Sequence, residues 1–213
     1  MAIAVIIYGK SGSGKSRSLK NFAEDEIYLV NVLGKMMPFK GTFKYITVSD
    51  NPQTIMAGLA KMPCKVAVID DFGYIMTDMY MRGNSTGNQF DLFKNIGNTV
   101  FELVDFVIHS DALKKDQIVY ITLHEEIDEY GNSKLRTIGK LLEQKVCLEG
   151  MVTVTLHAAI KNKRHVFITN SDGTDIAKSP EGMFTENEVE NDLFAVDAAI
   201  RNYYGFEPLR EEK

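Results

Sequence analysis

The sequence opens with a continuous apolar run, residues 3–8, that leads directly into a glycine-rich segment, residues 9–16. An unbroken apolar run without alternation is typical of a central parallel strand that is covered on both faces. The segment Gly-Lys-Ser-Gly-Ser-Gly-Lys-Ser matches the pattern G-x-x-x-x-G-K-[S/T], which stands between a strand and a helix. We therefore predict a strand over 3–8, a tight glycine-rich turn, and a helix over 15–22.

Each residue type in this segment has a physical reason to bind phosphate. Glycines allow a close backbone approach that a side chain would block, so exposed N–H groups can surround a phosphate at a helix N-terminus. Lys15 would reach the β- and γ-phosphates, and the Ser16 hydroxyl would bind Mg²⁺. The predicted nucleotide-binding residues are Gly9, Lys10, Ser11, Gly12, Ser13, Gly14, Lys15, Ser16 and Arg17.

A second apolar run, residues 66–69, ends in two carboxylates, Asp70 and Asp71. A buried strand of this kind delivers Asp70 to the carboxyl edge of a parallel sheet beside the phosphate loop, where it can hold Mg²⁺ through water. This is the Walker B arrangement. Asp71 has two interpretations, because it could polarise an attacking water as the catalytic base or cap a helix that starts near Phe72.

A third apolar run, residues 118–123, is followed by His124 and Glu125. In P-loop ATPases the end of this strand faces the γ-phosphate, so a polar residue there can sense hydrolysis. His124 is the candidate sensor, and Glu125 is a second candidate base. The other histidines show no metal-ligand spacing with one another or with the cysteines, which argues against a zinc site.

The remaining pattern alternates strands with helices, which indicates an α/β fold with a mostly parallel central sheet flanked by helices. We expect residues 1–213 to form a single domain of this class. The further predicted strands cover residues 27–32, 45–48, 152–156 and 166–169, and the further predicted helices cover 52–61, 93–108 and 188–204.

The composition excludes several classes of protein. Hydrophobic residues make up 45% and charged residues 25%, which are values of an ordinary globular chain and rule out a disordered or collagen-like one. No apolar run approaches the ~20 residues of a transmembrane helix. The 2 cysteines give no sign of an oxidising compartment, so we expect a cytoplasmic protein with no membrane partner. The net charge of −5 means that nucleic-acid binding would need local basic patches.

Arginine usage bears on the acceptor of a transferred phosphoryl group. Small-molecule kinases clamp that group with clustered arginines on a lid, whereas the 6 arginines of this chain form no Arg-x-x-Arg cluster. Water is therefore the predicted acceptor. We expect the missing positive charge to come from a neighbouring subunit, with Lys178 as the donor, on a segment (residues 170–182) rich in Ser, Asp, Gly and Pro.

These residues together resemble a family of phage-encoded RecA-like ATPases, single-domain relatives of the recombinases linked to single-strand annealing and phage recombination. The resemblance is carried by residues 9–16, 34–40, 69–74, 123–126, 137–140, 177–184, 191–193 and 203–204. It implies a RecA-like P-loop NTPase that uses ATP and Mg²⁺ and assembles as a homo-oligomeric ring or filament. It also implies action on single-stranded DNA in the infected host's cytoplasm, alongside other phage recombination or replication proteins.

The resemblance further implies where DNA would bind. In RecA-like proteins two loops, after the Walker B and sensor strands, face the DNA channel. Here they would be residues 79–90 and 125–140. The residues implicated by position are Arg82, Asn84, Lys134 and Arg136.

Two questions stay open at the level of sequence. RecA-like proteins usually place the catalytic glutamate after a strand that precedes Walker B, and no glutamate stands there in this chain. The candidate bases are therefore Asp71, Glu125 and a group of a neighbouring subunit. The alternative function is a slow regulatory nucleotide switch that acts on a protein partner such as a helicase or a nuclease.

Overall fold

A nine-stranded sheet forms the centre of the computed structural model, which describes residues 1–83, 88–140, 142 and 145–210. The strands are β1 (Ile3–Gly9), β2 (Ile27–Asn31), β3 (Tyr45–Thr47), β4 (Val66–Asp70), β5 (Ile118–Ile127), β6 (Ser133–Leu135), β7 (Val154–Lys161), β8 (Arg164–Ile168) and β9 (Glu188–Glu190). The helices are α1 (Pro52–Ala60), α2 (Gly73–Gly83), α3 (Gln89–His109), α4 (Leu148–Met151) and α5 (Leu193–Tyr204), with a short 3-10 helix over Ser16–Asn21.

The sheet is mostly parallel, and the α/β class predicted from sequence is confirmed. Its strand order is β3-β2-β4-β5-β1-β7-β8-β9. The first six strands in this order run parallel, whereas β8 and β9 are antiparallel to their neighbours. β6 pairs antiparallel with the end of β5, so the turn signal near Gly131 is the tip of a hairpin.

The apolar run of β1 is buried on both faces, as its lack of alternation predicted. Ile6 packs with α1, α2 and α3 on one side of the sheet, whereas Val5 and Ile7 pack with the 3-10 helix and α5 on the other. Successive side chains of a strand point to opposite faces, so one strand contributes to both cores. β1 therefore lies at the middle of three layers, and the glycine-rich segment starts from this fixed position.

Register places three strand ends at one edge of the sheet. β5 lies between β1 and β4, with Gly9 opposite His124 and Ile69 opposite Ile121. Parallel strands carry their carboxyl ends to the same edge. The glycine-rich turn, the two aspartates after β4 and the histidine of β5 therefore converge there.

Two of the predicted helices differ from the structure. The helix after the glycine-rich turn is a 3-10 helix over Ser16–Asn21. The helix predicted over 188–204 is wrong in its first part, because Glu188–Glu190 pairs with β8 as a strand. The carboxylate of Asp192 then accepts hydrogen bonds from the N–H groups of Phe194 and Ala195, so α5 begins at Leu193.

The described residues include no helix long and apolar enough to cross a bilayer.

A buried ion pair ties α5 to the opposite edge of the sheet. Arg201 is 1% exposed and its Nε donates to Asp197 Oδ2 at 2.5 Å, one turn earlier on the helix. The same guanidinium donates to the backbone oxygens of Asp116 (2.9 Å) and Lys65 (3.2 Å), just before β5 and β4. Tyr120 also donates to Asp197 Oδ1 at 2.9 Å, so each carboxylate oxygen of Asp197 accepts a hydrogen bond.

We expect Arg201→Met to destabilise the fold by about 3–5 kcal/mol, because it leaves the Asp197 carboxylate buried without its partner. Urea unfolding followed by circular dichroism measures this. Arg210→Met is the matched control, since Arg210 pairs with Glu26 at the surface and its loss should cost no more than about 1 kcal/mol. Equal stabilities of the two variants would contradict the assigned role of the buried pair.

Candidate functional site

A cavity of about 380 Å³ opens at the carboxyl edge where β1, β4 and β5 end. It contains most of the nucleotide-binding residues predicted from the sequence. From the glycine-rich turn it is lined by Ser11, Gly12, Gly14, Lys15, Ser16 and Arg17, and from the strand ends by Asp70, Asp71 and His124. Gly9, Lys10 and Ser13 belong to the same turn but do not line the cavity.

The turn has the backbone geometry that its glycines suggested. A Cβ at Gly9 would lie 2.2 Å from the backbone oxygen of Ala158, so β7 passes too close for any side chain. Gly14 has φ +108°, and a Cβ there would meet Asn191 Oδ1 at 2.7 Å. His165 on β8 donates from Nδ1 to the Ser13 oxygen at 2.9 Å. The loop is therefore supported from below by β7, β8 and the start of α5, and its outer side faces the cavity.

Lys15 is folded back onto its own loop. Its ammonium donates to the backbone oxygens of Gly9 at 2.7 Å and Lys10 at 2.9 Å. Burial lowers the pKa of Lys15, and the negative charges of Asp71 and Asp70 oppose that shift. An ammonium that donates to neutral carbonyls can exchange these partners for phosphate oxygens, which bind it more strongly because they are charged.

Ser16 and Asp70 meet although they lie 54 positions apart. The Ser16 hydroxyl donates to Asp70 Oδ2 at 2.7 Å, and the Thr122 hydroxyl on β5 donates to Asp70 Oδ1 at 2.8 Å. Burial raises the pKa of Asp70, whereas these two hydrogen bonds favour its charged form. A hydroxyl and a carboxylate oxygen are the hard ligands that Mg²⁺ prefers. The residues therefore fit the predicted magnesium site, with Thr122 orienting the carboxylate from behind.

Asp71 points into the cavity and not at the helix that follows it. Its backbone has φ +62°, and its N–H donates to Thr122 Oγ1 at 2.8 Å. Its carboxylate lies 2.5 Å from Lys35 Nζ and 3.7 Å from His124 Nε2. α2 is started by a backbone bond from Tyr74 N–H to the Asp71 oxygen. The carboxylate of Asp71 thus contacts cavity residues, whereas its described bond to the start of α2 uses its backbone oxygen.

His124, the candidate sensor of the sequence analysis, lines the same cavity. Burial lowers its pKa, and the positive charge of Lys15 lowers it further. Its ring packs edge-on against Tyr74 at a centroid distance of 5.8 Å. The neutral imidazole that results can donate or accept a hydrogen bond at the cavity.

Glu125 is turned away from the cavity, because consecutive residues of a strand face opposite sides. Its Oε2 accepts from His157 Nε2 at 2.6 Å and from the Ser133 hydroxyl at 3.1 Å. The other ring nitrogen of His157 lies 3.2 Å from Asp175 Oδ2, and Tyr8 stacks on the ring at 4.6 Å. Glu125 Oε1 also lies 3.8 Å from Lys10 Nζ on the glycine-rich turn, but Glu125 does not line the cavity.

Lys178 also lies outside the cavity. Its backbone makes two hydrogen bonds of 2.8 Å with Thr155, which extend β7 on its outer side. Ser171 and Asn170 close the same segment by bonding to Ala177 and Ser179. Residues 170–182, although rich in Ser, Asp, Gly and Pro, are therefore attached to the sheet by hydrogen bonds.

The residues implicated in DNA binding by position are spread over the site's surroundings. Arg82 at the end of α2 pairs with Asp50, and Lys134 on β6 pairs with Glu126 at 2.8 Å. Arg136 is exposed, and its N–H donates to the backbone oxygen of His124 at 2.9 Å. Asn84 lies outside the described residues.

Sequence reasoning missed the cavity wall formed between β2 and β3. Lys35, Met36, Met37 and Pro38 line it, and His165 lines it from β8. Residues 34–40 stood out as part of the family resemblance, but no local rule assigns such a segment to a phosphate site. His165 stands 152 positions after Ser13, and no local sequence signal predicts its contact with the turn.

We expect Thr122→Val to weaken nucleotide binding about 10–100-fold in the presence of Mg²⁺, because a supporting partner of the metal-binding carboxylate is lost. Binding in EDTA should change far less. Titration of a fluorescent ATP analogue measures both.

Thr155→Val is the matched control for this prediction. Thr155 is also fully buried, and its hydroxyl has no hydrogen-bond partner among the described residues. We expect binding by this variant to equal that of the wild type. A Mg²⁺-dependent loss in both variants would show that Thr122 has no specific role.

Comparisons with known proteins give only distant likenesses. No protein-family profile and no curated protein sequence matches the chain. A KaiC-like protein from the hyperthermophilic archaeon Pyrococcus horikoshii is similar with a TM-score of 0.43 and 13% identity, over 78% of this chain and 76% of that one. An ATPase from the type III secretion system of pathogenic bacteria is similar with a TM-score of 0.45 and 14% identity, over 74% of this chain and about half (51%) of that one.

Proposed function

We propose that this protein binds ATP with Mg²⁺ and hydrolyses it to ADP and phosphate. The observation that carries the proposal is the 2.7 Å hydrogen bond between Ser16 and Asp70, at a cavity that also contains Lys15. A glycine-rich turn alone could be a structural loop. A glycine-rich turn whose serine contacts the carboxylate at the end of a parallel strand on the far side of β5 has the parts of a metal–triphosphate site.

Each predicted residue has a definite task in this proposal. The backbone N–H groups of the turn bind the phosphates, and the Lys15 ammonium exchanges its carbonyl partners for the β- and γ-phosphate oxygens. Ser16 and Asp70 would hold Mg²⁺, directly and through water respectively. Bound there, the ion neutralises phosphate charge and orients the phosphates.

We propose Asp71 as the base that accepts the proton of the attacking water. It faces the cavity, whereas Glu125 is engaged by His157 and Ser133 on the other face of β5. A base must come within hydrogen-bonding distance of the proton that it removes. His124 lies 3.7 Å from Asp71, where it would contact the γ-phosphate. A shift of His124 on hydrolysis would be transmitted along β5 and, through the backbone hydrogen bond, to Arg136.

We expect Asp71→Asn to lower ATP hydrolysis by about 10²–10⁴-fold, because the general base is lost, and to leave ATP binding largely intact. Phosphate release and binding of a fluorescent ATP analogue measure the two effects. Glu125→Gln is the matched control, since it removes a neighbouring carboxylate that does not line the cavity. Lys15→Ala supplies the blank. If Glu125→Gln is the inactive variant and Asp71→Asn the active one, the base has been assigned to the wrong residue.

The finer proposal is that hydrolysis serves phage DNA recombination or replication, with the protein assembled as a homo-oligomer on single-stranded DNA. Its support is the family resemblance, together with the direct backbone bond from Arg136 to His124. A ligand at residues 125–140 would be connected to the cavity through that bond. Lys178 of a neighbouring protomer would approach the phosphates in such an assembly.

A second candidate function has its own observation. Arg82 and Lys134 are each paired with an acidic residue, and the chain carries a net charge of −5. A surface whose cations are already neutralised is a weak phosphate binder. This arrangement favours a nucleotide switch that acts on a protein partner.

Single-stranded DNA distinguishes the two candidates. If DNA is the partner, we expect it to raise the ATPase rate and to bind with an affinity that falls steeply with salt, by a log–log slope of about −0.7 per phosphate contact. Arg136→Ala should then make this slope shallower by about 0.7, the contribution of one phosphate contact. A rate that ignores DNA, with no salt-dependent binding, would favour the protein-partnered switch.

A further inference from the structure

The cavity contains a second lysine that no sequence motif assigns. Lys35 extends from the segment between β2 and β3, and its ammonium lies 2.5 Å from Asp71 Oδ2. The side chain of Lys35 is 56% exposed, whereas that of Asp71 is 5% exposed. The ammonium therefore reaches from the rim of the cavity to its floor, and it remains open to a ligand.

The backbone of Lys35 is held in place from inside the sheet. Asn31, a buried residue at the end of β2, donates from Nδ2 to the Lys35 oxygen at 2.7 Å and accepts from the Lys35 N–H at 3.2 Å. Its own backbone oxygen accepts from Gly34 N–H at 3.2 Å. A buried asparagine that clamps both backbone groups of an exposed lysine fixes where that side chain starts.

The charges around Lys35 keep it protonated. Burial alone would lower the pKa of Lys35, but the hydrogen bond and charge of Asp71 outweigh that effect and raise it. Asp70 adds to the same effect. Lys35 is thus a permanent cation, and it shares with Lys15 a cavity that has two adjacent carboxylates.

We propose that Lys35 is a catalytic residue that stabilises the charge on the transferring γ-phosphoryl group, supplied by the same chain that holds the nucleotide. The proposal rests on the ATPase function proposed above. It assigns to Lys35 the positive charge that the arginine-poor sequence lacks. Electrostatic stabilisation by a cation at this position contributes a large part of phosphoryl-transfer catalysis.

The ion pair between Lys35 and Asp71 sets the sequence of events in the proposed hydrolysis. Without a triphosphate, Lys35 neutralises Asp71. When the γ-phosphate enters, the ammonium shares its three donors with the phosphate oxygens, and the Asp71 carboxylate becomes available to water. The water oxygen then bonds to the γ-phosphorus, and the water proton passes to Asp71. The bond from that phosphorus to the bridging oxygen breaks, with its electron pair left on the β-phosphate of ADP.

The test compares Lys35→Met with Lys40→Met, since Lys40 is exposed on the same segment but does not line the cavity. We expect Lys35→Met to lower the hydrolysis rate about 10²–10³-fold, the cost of removing one preorganised donor. Isothermal titration with Mg²⁺ should show ADP affinity within about threefold of the wild type. Affinity for ADP with aluminium fluoride, which mimics the transition state, should fall by at least about tenfold. Lys40→Met should match the wild type in all three.

A purely structural partner of Asp71 would behave differently. Lys35→Met would then weaken the binding of ADP and of ADP with aluminium fluoride by the same factor, or leave both affinities unchanged. Either result overturns the proposal. If Lys35→Met does not fold, Lys35→Gln keeps a hydrogen-bond donor for Asp71 without the charge, and the same selective loss is expected. A wild-type protein without Lys15-dependent hydrolysis would overturn the proposed function and this inference together. Equal hydrolysis by the wild type and Lys35→Met would overturn the inference alone.

Mixing variants tests whether Lys35 acts within its own chain. Lys35→Met mixed with Lys15→Ala should stay inactive, because neither chain then has a complete site. Recovery in that mixture would show that Lys35 acts across an interface, which contradicts the proposal. Lys178→Ala mixed with Lys15→Ala is the comparison, because a lysine that acts on a neighbour's nucleotide recovers activity in mixed assemblies.

Discussion

The parallel hydrogen bonding of β5 between β1 and β4 is the constraint on which the candidate site depends. It aligns Gly9 with His124 and holds the end of β4 one strand away. From that position Thr122 reaches both Asp70 and the backbone of Asp71. A slip of one residue in either pairing would turn every side chain of β5 to the opposite face. The catalytic geometry proposed here is therefore a consequence of strand register.

The site balances charge at the edge of a buried sheet. Two carboxylates, Asp70 and Asp71, lie beside two ammonium groups, Lys15 and Lys35. Burial raises the pKa of Asp70 and lowers that of Lys15, and so disfavours both charged forms. The charge of Lys35 partly offsets the first shift, and the two carboxylates partly offset the second. The proposed metal–triphosphate ligand would exchange these internal partners for its own charges, and the desolvated surroundings would strengthen the new contacts.

The polar network on the other face of β5 has a different character. Glu125 accepts hydrogen bonds from His157 and Ser133, and the other ring nitrogen of His157 contacts Asp175. The ring of Tyr8, a residue of the core, stacks on His157. Buried polar groups that are fully hydrogen-bonded make the local arrangement rigid. This network joins β5, β6 and β7 to residues 170–182, next to the strand that carries the phosphate loop. It explains why those residues are ordered although their composition suggests a loose loop.

The sequence by itself determined the parallel sheet, the glycine-rich turn and the identity of Lys15, Ser16 and Asp70. These features depend on local rules: apolar runs form covered strands, and glycine spacing sets a backbone that a phosphate can approach. It also drew attention to His124, which lines the cavity but lies within β5, because that strand continues to Ile127 beyond the predicted end at residue 123. Alternation along a strand decides which side chains share a face. Pairing with the neighbouring strands decides which of the two faces that is.

Only the tertiary structure separated Asp71 from Glu125 and brought Lys35 into the cavity. Asp71 directly follows β4, whereas Glu125 lies within β5 beyond its apolar part. Pairing of β4 with β5 brings Asp71 to the cavity, and alternation along β5 turns Glu125 toward His157. Lys35 lies 36 positions before Asp71, and its approach depends on a clamp from Asn31 that no motif describes. Long-range contacts of this kind follow from packing between distant segments, so a single sequence read locally does not contain them.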